Sequence, residues 1–123
     1  MAWQIKFRNL EHEKGFHDFI KKAEIQDWDK ERTSLFYILA LFEETRRHIN
    51  DLYDFEENCI KCEGVKEAWQ TGGTTKATKL AFNLFNDFRG DDREKENYSP
   101  LELFSLDTDY RNYMLMAVQI RFS

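Results

Sequence analysis

A chain of 123 residues can close one hydrophobic core without disulfides or metal, and a formal net charge of -5 gives free nucleic acid or an anionic membrane no general attraction. Aromatic residues make up 15% of a chain that is also 33% charged, which excludes disorder because ring burial offsets the entropy of ordering the backbone. The two cysteines are too few for a secreted disulfide framework, and neither a spanning apolar run nor a secretion signal is visible, so a cytoplasmic protein with no membrane partner is expected.

Trp3 to Phe7 alternates briefly and reads as a short strand. Asn9 then caps a helix carrying Leu10, Phe16, Phe19, Ile20 and Ala23, with Glu11 and Glu13 near its positive end and Gly15 as a local weakness. In "QDWDKE", Asp27 or Asp29 caps the next helix, which is expected to run from about Lys30 to about Tyr53. Leu35, Ile38, Leu39, Phe42, Ile49 and Tyr53 form one stripe of it, while Phe36, Tyr37, Ala40 and Leu41 fill other directions, the pattern of a central helix. From Asp51 to Gly64, "DLYDFEENCIKCEG" reads as a fraying helix end followed by a loop, with a short helical piece at Val65 to Trp69.

After Gly73, Thr74 or Thr75 is expected to cap a helix with Ala77, Leu80, Ala81, Leu84, Phe85 and Phe88 on one stripe, stopped by Gly90. "DDREKEN" reads as a solvated loop, and Ser99, Pro100 and Glu102 form a capping box that opens a short helix. Asp107 or Asp109 starts the last helix, with Tyr110, Tyr113, Met114, Ala117 and Val118 on one face. No repeat, low-complexity tract or linker interrupts residues 1–123. The expected fold is a single all-α domain, a compact bundle of about four to six helices around a central one, with one short N-terminal strand.

Four constellations could carry chemistry. Gly72 to Lys76 ends at a helix start and could grip an anion, but Gly72 and Gly73 are adjacent and Lys76 is followed by Ala77, so a Walker loop is excluded and a plain threonine cap is the simpler reading. Cys59 and Cys62 form one C-x-x-C, for which His48 is the best third metal ligand and no fourth is visible; His12 and His17 point about 140° apart on a helix. Glu13 with His17 and Glu44 with His48 read as surface ion pairs, since neither has the Glu-x-x-His spacing of a di-iron bundle. With no nucleophile motif, the expectation is a non-enzymatic protein without cofactor or resident metal.

The fourth feature is the acidic-aromatic segment. Asp51, Asp54, Glu56, Glu57 and Glu63 stand against Lys61 alone, interleaved with Leu52, Tyr53 and Phe55. Carboxylates on such a face can occupy the places of phosphates in a basic groove while aromatic anchors add contact area; a solvated helix end is the plain alternative. Phe82, about 120° off the stripe of its helix, is either a second core contact or an exposed anchor.

Together "LFYILAL" (35–41), "DLYDFEENCI" (51–60), "WQTGGTTKATKLAFNLFN" (69–86) and "YSPLELF" (98–104) resemble a family of short proteins of unknown function from Gram-positive bacteria, their plasmids and their phages. The resemblance implies a bacterial host cell and a protein that helps a mobile element survive there. By analogy of size and charge it suggests an anti-CRISPR type of inhibitor, docking on the basic nucleic-acid-binding groove of a host defence nuclease without sequence-specific nucleic-acid binding of its own. In that reading Asp51, Asp54, Glu56 and Glu57 match basic residues, and Tyr53, Phe55 and Phe82 are anchors. A small metal- or anion-binding enzyme built on His48, Cys59 and Cys62 is one alternative. Self-association into a homodimer through the aromatic surplus is another.

Overall fold

The computed structural model describes residues 4–90 and 97–123; Trp3 and the mixed-charge run at 91–96 lie outside them. Gln4 to Phe7 forms no strand and pairs with neither strand of the described residues, so the expected N-terminal strand is absent over its described part. Helix α1, Leu10–Lys22, begins as expected at Asn9, whose side chain accepts the His12 N–H at 2.8 Å. It buries His12, Phe16 and Phe19. Gly15 has a use beyond local weakness: a Cβ there would meet the Arg46 Cδ at 2.8 Å.

Asp29 caps α2, Lys30–Leu39, through the Arg32 N–H at 3.0 Å. The expectation of one helix to Tyr53 is corrected. The chain turns at Phe42, which is extended (φ -102, ψ 143), and restarts as α3, Glu43–Arg47, followed by a 3-10 turn over Ile49–Asp51. No glycine or proline marks the break. Instead, the Thr45 hydroxyl donates to the Leu39 carbonyl at 2.7 Å and Arg46 donates to the Ala40 carbonyl at 2.7 Å, so acceptors that a continuing helix would have satisfied are met by side chains. The turn also lays Phe42 against Tyr110, rings 4.3 Å apart and nearly parallel.

The acidic segment is likewise not a helix end and loop. Strands β1, Tyr53–Asp54, and β2, Cys59–Ile60, pair antiparallel in a small hairpin, with Tyr53 opposite Ile60 and Asp54 opposite Cys59. A 3-10 turn over Cys62–Lys66 follows, earlier than the helical piece expected at Val65 to Trp69. Helix α4, Gly72–Asn86, is capped at Thr71 and not at Thr74 or Thr75: Thr71 and Thr74 form a reciprocal capping box, which puts both glycines inside the first turn. It ends on Asp87 in the left-handed region (φ 65), before Gly90, leaving Phe88 beyond the helix.

Helix α5, Pro100–Leu103, is capped by Ser99, and α6, Thr108–Arg121, by Asp107. Every residue from Ser34 to Phe42 is buried because α2 packs against α1, α4 and α6 together. One core therefore surrounds a central helix in an all-α bundle whose only sheet, among the described residues, is the two-stranded hairpin. No helix among the described residues is long and apolar enough to cross a membrane.

Candidate functional site

The hairpin is held from behind by the start of α2. Arg32, paired with Asp29 at 2.7 Å, donates to the Tyr53 hydroxyl at 3.0 Å and to the Asn58 carbonyl at 3.2 Å, and that hydroxyl donates to the Asn58 side chain at 3.0 Å. Tyr53 thus supports the hairpin with its ring buried, 1% exposed, and is corrected from anchor to core residue. Burial lifts its phenol pKa above the ordinary value even though Arg32 pulls the other way.

Between the strands, Asp54 closes the loop on itself. Its Oδ1 accepts the backbone N–H groups of Glu56 at 2.9 Å and Glu57 at 3.0 Å, and these bonds, Glu57 first, hold its carboxyl below the usual range. Asn58 takes the left-handed conformation that finishes the turn (φ 56). Phe55 is half-buried, stacked on Phe36 at 5.7 Å, with the Lys22 ammonium 4.5 Å over its ring. Glu56 and Glu57 are exposed and belong to no ion pair among the described residues. A shallow cavity of about 400 Å³ beside them is lined by Lys22, Asn50, Phe55, Glu56 and Lys61, among others.

Asp51, part-exposed, lies just before the hairpin. Its Oδ2 accepts the Trp69 indole N–H at 3.0 Å and lies 3.5 Å from the His48 Nδ1, while the His48 ring stacks on Trp69 at 4.4 Å. Gly64 makes this packing possible, since a Cβ there would lie 2.6 Å from the Asp51 carbonyl oxygen. The expected pairing of His48 with Glu44 is replaced by contact with Asp51 and Trp69.

Cys59 and Cys62 are free, exposed thiols. Burial of its sulfur, then Glu63 and Cys59, pushes the Cys62 thiol up, which leaves it a weak nucleophile at neutral pH. No group of three or more His, Cys, Asp or Glu side chains among the described residues could hold a metal ion. Lys76, the cation of the supposed anion loop, donates to the Ser105 carbonyl. Phe82 has no exposed surface, so it is a second core contact and not an anchor.

The structure thus brings Asp51, Asp54, Phe55, Glu56 and Glu57 to one edge and removes Phe82 from it. Arg32, Lys22 and Trp69 complete the site and carry no short-range sequence signal, because each arrives from a separate element. A family model described as "Family of unknown function (DUF6075)" matches residues 2–123. The chain belongs to that family. The match runs across the hairpin and all six described helices of this chain. Neither the curated proteins nor the solved structures contain a match.

Proposed function

We propose that the protein is a non-catalytic binding protein that presents the acidic tip of its hairpin, Glu56 and Glu57 flanked by Asp54 and Phe55, to a basic surface of a protein partner. One observation carries the reading: the tip is fixed from behind by Arg32, Tyr53 and the Asp54 turn while its two glutamates stay exposed. A charged loop that is already ordered loses little conformational entropy on docking, so more of the charge attraction appears as affinity. Arg46, Lys61 and Arg121 donate to backbone carbonyls and Arg8 holds Asp109, so none of these four neutralises Glu56 or Glu57.

The specific form proposed is an inhibitor carried by a mobile element in a bacterial host, of anti-CRISPR type, whose glutamates take the place of phosphates in the nucleic-acid-binding groove of a defence nuclease. The size, the net charge of -5 and the sequence resemblance support that form. Cleavage by a purified RNA-guided nuclease tests it, with wild-type protein and a Glu56→Lys, Glu57→Lys double variant added at low and moderate salt. The expected result is inhibition by the wild type that weakens with salt and is lost on charge reversal. Equal inhibition by both proteins overturns the role of the tip, and cleavage unaffected by either across a panel of such nucleases overturns the inhibitor form.

A further inference from the structure

Gln4 to Arg8 forms a strap tied to the body at two backbone positions. The Tyr37 hydroxyl donates to the Lys6 carbonyl, and the Arg8 N–H donates to the His12 Nδ1 at 3.1 Å. Between these ties the Phe7 ring sits against His12, Phe16 and Tyr37, with centroids 5.2, 5.4 and 5.7 Å away. Beyond them the Arg8 guanidinium is fixed by Asp109 and lies 4.5 Å over Tyr110.

His12 is the centre of this arrangement and has no exposed surface. Its Nε2 lies 2.8 Å from the Tyr37 carbonyl, which can only accept, so Nε2 carries the proton and Nδ1 is left to accept from Arg8. One ring therefore joins the backbone of α2 to the backbone of the strap. Only the neutral imidazole can make both bonds.

We propose that protonation of His12 releases the strap, with Arg8 as the hinge, so that the fold carries an acid-sensitive cover over its Phe7 seat. A proton on Nδ1 would face the Arg8 N–H, setting donor against donor in a buried position. The charged groups that bear on the ring are Arg8 from the strap and Arg46 from α3, and both oppose a second positive charge. From α2 and α6 the facing groups are the phenols of Tyr37 and Tyr113, at 4.7 and 6.1 Å. Among the described residues no carboxylate acts on the ring to stabilise an imidazolium in place. Release uncovers apolar surface next to a groove of about 740 Å³, where Gln4 and Lys6 of the strap meet Met116, Val118 and Phe122 of α6 and its end.

Amide hydrogen exchange of the full chain, corrected for intrinsic rates, tests the strap. Burial, then the two arginines, hold His12 at about 4 in the closed form against an ordinary 6.5, so the Arg8 amide should lose protection on the order of fifty-fold between pH 7 and pH 4.5. Amides of Leu35 to Leu39 should remain at least about tenfold better protected than Arg8 at both pH values. His12→Gln, which keeps a donor for Tyr37 and does not titrate, should flatten the dependence. Equal protection of Arg8 and the α2 amides would mean that only global unfolding opens the strap and would overturn the proposal, as would an unchanged pH dependence in His12→Gln. Should that variant not fold, an NMR titration of the wild type decides: the His12 ring and the Arg8 amide should shift together, and a ring that titrates with Arg8 unmoved overturns the proposal.

Discussion

Phe82 is a residue whose position on its own helix gives a misleading picture of its surroundings. It leaves the main stripe of α4, yet it is fully buried and meets Phe88 edge-on at 5.8 Å. Phe88 reaches it because Asp87 turns the chain back in the left-handed conformation and the Asn83 side chain donates to the Phe88 carbonyl at 3.0 Å. Phe82→Ala should therefore cost about 3–5 kcal/mol in urea denaturation, the usual range for emptying a buried phenylalanine site. A loss below about 1 kcal/mol would mean that the ring is not packed this way. His12 shows the same point in a polar residue: it continues the Phe16 and Phe19 side of α1, and only its two backbone partners explain a buried imidazole.

At the scale of elements, helix ends are set by side-chain partners more than by composition. The break after Leu39 is stabilised by Thr45 and Arg46, whose bonds run back to carbonyls of residues 39 to 42. Arg46→Met keeps the aliphatic stem but removes the donors, and should destabilise the protein by about 2 kcal/mol, a range typical of hydrogen bonds made by a charged group. Thermal or urea unfolding measures this directly. The start of α4 makes the opposite case, because Gly72 is exposed, lies in the first helical turn, and an added Cβ would meet nothing within 4 Å. Gly72→Ala should stabilise by about 0.4–1 kcal/mol by reducing the freedom of the unfolded chain. A destabilised variant would point to a demand on that glycine that the capping box does not make.

For the whole molecule the distinguishing quantity is the pH dependence of stability. His12 has a folded-state pKa of about 4 against 6.5 unfolded, so the unfolded chain binds the extra proton between these values. The contribution is complete above pH 6.5 and is lost as pH falls towards 4. Between pH 7.5 and pH 5.0, above most carboxylate titration, urea denaturation should show a loss of about 2 kcal/mol that His12→Gln removes. A wild-type curve that is flat over this window would contradict a neutral, buried His12.

The sequence by itself determined the helical class, the central position of residues 35 to 42 and the caps at Asn9 and Ser99, and narrowed two further caps to Asp27 or Asp29 and Asp107 or Asp109, because these rest on periodicity and on bonds spanning three residues or so. The acid-rich edge was equally legible as composition. Tertiary structure alone decided that this edge is a hairpin, that Arg32 and Lys22 back it, and that Tyr53 and Phe82 turn inward. It also decided where α2 stops. The reason is one of range: these features depend on a guanidinium, an ammonium or an aromatic ring brought from another element, and chain spacing records periodicity within an element but not what packs against it.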